Sequence, residues 1–128
     1  MRKSAINITA ASTTLFLIGS LTATSIVSAA EPEKTATPVS LGKAVAEDRT
    51  KGNCVSCHAY EGASMPGNIA PPLGNWLQQK YKDKAALRTQ IWDATKANPN
   101  SRMIPYGKHQ VLTEAEIDLV TEWAWSLK

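Results

Sequence analysis

Both cysteines of this chain, Cys54 and Cys57, stand near the start of a segment, Gly52–Leu73, that also holds Gly52, Gly62, Gly67, Pro66, Pro71 and Pro72. That density of chain breakers excludes a continuous helix or strand across the segment. A long irregular stretch inside a small domain is uncommon and usually functional, because its backbone polar groups need something to organise around. Whatever this chain folds into must be built about that loop.

The cysteines occur as Cys54-Val55-Ser56-Cys57-His58, which is C-x-x-C-H, the attachment pattern for c-type haem. The spacing has a chemical reason. Two thiols three residues apart can each add to one vinyl group of a porphyrin, and the adjacent imidazole of His58 is then held beneath the iron as proximal ligand. That imidazole should donate its other ring nitrogen to a backbone acceptor, which fixes its orientation. Three other readings compete. A thioredoxin-type dithiol sits beside a βαβ pattern, and no alternating strand pattern is visible. A structural zinc needs four ligands, whereas the chain offers two cysteines and two histidines, His58 and His109, at spacing unlike a zinc finger. A plain disulfide would leave the long loop unexplained.

The N-terminus decides how composition is read. Arg2 and Lys3 lead into an almost uncharged stretch with Leu15-Phe16-Leu17-Ile18 at its most apolar and Ser28-Ala29-Ala30 at its end. A charged start, a short apolar centre and a small-residue exit are features of a secretory signal peptide over residues 1–30, cleaved near Ala30. Asn7, Thr9 and the scattered hydroxyls leave far less than the ~20 continuous apolar residues of a spanning helix, so no stable membrane insertion is expected after cleavage. The 128 residues carry a formal charge of +3, with 14 basic and 11 acidic side chains. Removing Arg2 and Lys3 leaves the two counts nearly equal, so charge gives no argument for a nucleic-acid partner. Phe16 leaves too, and bulky apolar mass rests on four Trp and three Tyr. A domain this small often needs a cofactor, metal or disulfide to be stable.

Residues 31–39 are polar, hold two prolines and read as a flexible leader before a domain over 40–128. Ser40 is a possible N-cap for a helix carrying Leu41, Ala44, Val45 and Asp48, which Gly52-Asn53 would stop. Asn75–Tyr81 suits a short helix. Asp83 is a plausible N-cap for Lys84–Lys96, where Leu87, Ile91 and Ala94 share a face. Thr113-Glu114-Ala115-Glu116 matches a capping box and opens a last helix with Ile117, Val120, Ala124 and Leu127 at helical spacing. The predicted class is all-α with long loops.

Met65, Met103 and His109 are the candidates for a second axial ligand, since thioether and imidazole are the common donors. Met65 follows His58 so closely that, at about 3.4 Å per extended residue, the chain would have to run nearly straight round the porphyrin. Met103 lies in an irregular loop between two helices, far enough along the chain to approach from the opposite face, and is preferred. His/Met ligation closes both axial positions and favours electron transfer over substrate binding. Trp76, Trp92, Trp123 and Trp125 read as core and haem-pocket packing, which is favoured, with a partner interface as the rival for one or two of them. Trp123 and Trp125 stand two apart and cannot share a helix face, so at least one is a candidate for exposure. Lys80, Lys82 and Lys84 form either a solvated surface, which is favoured, or a docking patch for an acidic redox partner.

From Ser40 to Lys128 the order of first helix, CxxCH, proline loop, methionine loop and terminal helix resembles the class I cytochromes c. The resemblance implies an all-α fold of helices and long loops wrapped around one covalent haem c per chain. Ala70-Pro71-Pro72-Leu73 is similar to the G-P-x-L stretch of that family, whose proline carbonyl takes the hydrogen bond of the proximal histidine. By resemblance that role falls to Pro71, with alanine replacing the usual glycine. A closer resemblance is to SoxX, the monohaem subunits of sulfur-oxidising SoxXA complexes. It is carried by Gly52-Asn53-Cys54, Gly67-Asn68-Ile69-Ala70-Pro71-Pro72-Leu73, Arg88-Thr89-Gln90-Ile91-Trp92-Asp93-Ala94-Thr95, Ala97-Asn98-Pro99-Asn100 and Leu112-Thr113-Glu114-Ala115-Glu116-Ile117-Asp118. It implies a periplasmic heterodimer with a SoxA-like dihaem or monohaem cytochrome, which conjugates thiosulfate oxidatively to a cysteine of a SoxYZ-like carrier, an L-cysteine S-thiosulfotransferase activity. This chain would pass electrons from the partner to a soluble acceptor. Once Cys54 and Cys57 carry haem no thiol remains, so no catalysis is expected from this chain alone. The alternatives are a free soluble electron shuttle and, more remotely, a thiol-disulfide oxidoreductase.

Overall fold

The computed structural model describes residues 36–128; the expected signal peptide and most of the leader lie outside the described residues. The first helix, α1 (Pro38–Glu47), begins earlier than Ser40. Thr37 is its N-cap, with Thr37 Oγ1 accepting from Ser40 N at 3.1 Å and Ser40 Oγ accepting from Thr37 N at 2.9 Å. Ser40 is thus the third helical residue. Pro38 occupies the first turn, where its missing N–H has no intrahelical partner to lose.

The chain then turns through Asn53, whose φ of 45° is a left-handed conformation that asparagine tolerates. One 3-10 turn, Cys54–Ser56, leads into the long loop. Helix α2 (Trp76–Lys80) and helix α3 (Lys84–Trp92) follow. Asp83 caps α3 as expected, its side chain accepting from Ala86 N at 2.8 Å. The helix does not run to Lys96. Asp93 leaves the helical conformation and turns its carboxylate to the Thr95 N–H at 3.0 Å, so Ala94–Lys96 forms a separate 3-10 turn. The buried Asp93 also meets Lys108 Nζ at 3.4 Å, a partner from the far side of the next loop.

Helix α4 (Glu114–Ser126) opens on the expected capping box: Thr113 Oγ1 accepts from Glu116 N at 3.2 Å and Glu116 Oε2 accepts from Thr113 N at 3.0 Å. It packs on α1 and on α3. At the α1 crossing Gly42 allows the backbones to touch, since a Cβ there would stand 1.9 Å from the Leu119 carbonyl oxygen. Ile117 is fully buried on α4, and Trp123 meets Tyr60 edge-to-face with centroids 5.2 Å apart. Trp125 is half-buried, so the two tryptophans do present different faces. The described residues form helices and no strand, an all-α fold. No described helix is long and apolar enough to cross a membrane.

Candidate functional site

Asn53 and the 3-10 turn after it bring the C-x-x-C-H residues onto one turn of backbone, with Cys57 N and His58 N both donating to the Cys54 carbonyl at 3.2 and 2.9 Å. The two thiols are free rather than joined as a disulfide. The loop that follows is organised by this turn. Gly67 N donates to Val55 O at 2.8 Å, Ala70 N to Cys57 O at 3.0 Å and Leu73 N to Ala59 O at 2.6 Å. Gly67 comes so close that a Cβ would lie 2.1 Å from the Ser56 carbonyl oxygen, which only glycine permits.

These bonds carry Pro71 to the imidazole, and His58 Nδ1 lies 2.6 Å from the Pro71 carbonyl oxygen. A carbonyl can only accept, so Nδ1 holds the proton and Nε2 of the neutral ring presents its lone pair. That is the tautomer an iron ligand requires. Burial pushes the Cys54 thiol up to about 11, outweighing the Tyr106 hydroxyl, which acts in the opposite direction. A redox dithiol needs the reverse, a thiol depressed toward neutrality. Zinc is not favoured by the donors either, since no group of three or more His, Cys, Asp or Glu converges among the described residues.

The donor set fits a covalent porphyrin: two free thiols, one imidazole with Nε2 available, and large apolar side chains left at the surface. Met65 and Ile69, 68% and 65% exposed, come from the loop after the motif, and Ile104 flanks Met103. An apolar cofactor would take these side chains out of water.

Met103 is half-buried at the edge of the core, its N–H donating to Ser101 Oγ at 3.2 Å. Two ties hold its loop. Tyr106, almost wholly buried, donates its hydroxyl to the Gly52 carbonyl at 2.6 Å, linking the methionine loop to the approach to Cys54. Gly107 N and Lys108 N both donate to the Trp92 carbonyl at 3.1 and 3.3 Å, with Gly107 against the Trp92 ring. Met65 is instead strongly exposed and borders a shallow cleft with Glu47, Arg49 and Val55. His109 is exposed.

Two of the three lysines have partners within the chain. Lys84 Nζ pairs with Glu122 at 2.6 Å, and Lys80 lies over the rings of Trp76 and Tyr81 at 5.4 and 5.6 Å. Sequence reading missed the residues that hold the site from behind: Trp76, whose Nε1 donates to the Pro72 carbonyl; Tyr106; and the Trp92-Asp93 pair under the methionine loop. The Trp92-Asp93 pair had a signal, the I-W-D-A-T segment; the bonds of Tyr106 and Trp76 leave no local pattern.

Comparison with known proteins adds one match. The family model described as Cytochrome c matches residues 39–128, which span the whole arrangement from α1 to α4. A search among curated proteins found no match.

Proposed function

Because this chain belongs to the cytochrome c family, we propose that it is a monohaem electron carrier whose single haem c is bonded to Cys54 and Cys57 and ligated by His58 and Met103. That it is a haem c electron-transfer cytochrome follows from the family itself. The observation that carries the assignment of residues is the His58 Nδ1 to Pro71 hydrogen bond at 2.6 Å, which leaves Nε2 as the ligating atom on the same turn as two free thiols. Bound haem supplies a reversible one-electron couple. The chain's own residues would do the rest: Cys54 and Cys57 would tether the group, His58 and Met103 would ligate its iron, and the Pro71 carbonyl would strengthen the imidazole as a donor.

The chain's place in metabolism is a finer reading. We infer that it is exported to the periplasm and pairs with a SoxA-like dihaem or monohaem cytochrome, within a complex that conjugates thiosulfate to a cysteine of a SoxYZ-like carrier. Three features support this: the Arg88–Thr95 and Ala97–Asn100 segments, the signal-like N-terminus, and the lack of any third cysteine to bear sulfur. In the structure Trp92 and Asp93 of that segment hold the methionine loop, so the resemblance falls on residues that shape the site. Co-expression with a SoxA-like cytochrome tests the pairing. A stable complex that turns over thiosulfate, with the isolated chain inactive, is expected. A chain that elutes alone and exchanges electrons with any small acceptor would favour the free shuttle.

A further inference from the structure

Pro71 and Pro72 carry the carbonyl that faces His58, yet neither has an N–H with which to anchor itself. Both are exposed, so packing does not immobilise them. Flanking bonds hold the segment on either side, from Ala70 N to Cys57 O and from Leu73 N to Ala59 O. Between these, among the described residues, the pair receives one side-chain hydrogen bond besides that of His58: Trp76 Nε1 donates to the Pro72 carbonyl. The indole stands on firm ground. Trp76 opens α2, whose Leu77 is buried in the core and whose Gln78 Nε2 donates to the Trp125 and Leu127 carbonyls at 2.5 and 3.3 Å.

The chemistry of the Pro-Pro pair makes this bond consequential. The ring of Pro72 fixes its φ, and the Pro71–Pro72 peptide is planar, so one soft dihedral, ψ of Pro72, relates the Pro72 carbonyl to the Pro71 carbonyl. The Pro72 carbonyl shares its peptide plane with the Leu73 N–H, which Ala59 O holds at 2.6 Å, so the indole is the second tie on that plane, and the two together aim the Pro71 carbonyl.

We propose that Trp76 is a positioning residue for the proximal ligand: its indole N–H locks the Pro72 carbonyl and thereby holds the Pro71 carbonyl on His58 Nδ1. The inference rests on His58 being the iron ligand of a covalent haem. A well-aimed acceptor at Nδ1 makes the imidazole a stronger donor and favours the oxidised iron, so Trp76 lowers the reduction potential.

The test is the holoprotein with Trp76→Phe, which keeps an aromatic ring and removes the N–H. Potentiometry should show a higher midpoint potential than wild type. Proton NMR of the reduced protein should show His58 Nδ1–H exchanging about five- to tenfold faster, the factor that one hydrogen bond of ordinary strength confers. Unchanged potential and exchange, with only a loss of thermal stability, would overturn the proposal and leave Trp76 as packing. Should Trp76→Phe fail to mature, Gln78→Leu, which loosens α2 while leaving the indole, should move both readouts the same way by less; no movement overturns the proposal. A wild-type protein that binds haem c without His58 as ligand, shown by an axial spectrum unaffected in His58→Ala, would instead strike the underlying reading.

Discussion

His58 and Met103 meet the site in different ways. The imidazole is oriented by a carbonyl thirteen residues away in sequence, at 2.6 Å, whereas the thioether depends on a loop tied down by others. Met103→Ala should abolish the near-infrared methionine-to-ferric-iron band while leaving haem attached through both cysteines; survival of the band would move the ligand to Met65. Tyr106 is the complementary residue, because its buried hydroxyl satisfies the Gly52 carbonyl. Tyr106→Phe should cost about 1–3 kcal/mol in denaturant unfolding, the range for a buried polar group left without its partner. The C-x-x-C-H turn was legible residue by residue, because its chemistry is local in spacing, whereas Met65 and Met103 were legible only as candidate donors. Trp76 and Tyr106 were not, since a tryptophan or tyrosine in a short apolar-rich chain reads first as core, and only the fold shows which carbonyl its polar atom reaches.

At the scale of elements, the caps and the glycines decide where helices lie. α4 was readable to its first residue because Thr113 and Glu116 stand in capping-box register. α1 began earlier than expected because Pro38, within a polar, proline-containing tract, serves as a first-turn residue behind the Thr37 cap. The end of α3 is set by two partners of Asp93, the local Thr95 and the more distant Lys108, that helical periodicity does not report. Gly42 offers the sharpest test of the α1–α4 crossing. Gly42→Ala puts a methyl group 1.9 Å from the Leu119 carbonyl oxygen, and the helices must separate, at a cost of about 3 kcal/mol or more in unfolding free energy. Glu116 adds a pH signature. The Lys51 ammonium at 2.6 Å, with the Thr113 backbone and hydroxyl, holds its carboxyl down at about 2 against an ordinary 4.5. The unfolded chain binds that proton first as pH falls, so the stabilisation is complete above the ordinary value and disappears as pH drops through about 2. Glu116→Gln should therefore be about 1 kcal/mol less stable than wild type near neutrality, and the difference should shrink to nothing by the acid end of that window.

Seen whole, the molecule hangs both sides of the site from its terminal helix. Thr113 at the start of α4 directly follows the loop that Tyr106, Gly107 and Lys108 fasten. The far end of α4 receives Gln78 and so supports the α2 indole behind Pro72. α4 also gathers cations from other elements: Arg88 reaches Glu114 and Asp118, Lys51 reaches Glu116 and Lys84 reaches Glu122. Exposed pairs of this kind contribute little to stability each, so the charge they absorb matters more as surface that is already matched within the chain than as adhesive. Of the large apolar side chains left exposed among the described residues, Met65, Ile69 and Ile104 belong to the two loops that a porphyrin would join, while Val39 and Leu41 lie on α1 and Val111 just before α4. The proposed electron transfer depends on one haem c bonded to Cys54 and Cys57. Intact-mass spectrometry of the denatured protein, expressed with a c-type haem maturation system, tests it most directly. The expected result is a single species heavier than the polypeptide by one haem, lost when both Cys54→Ala and Cys57→Ala are introduced; a wild-type mass equal to the bare polypeptide would contradict it.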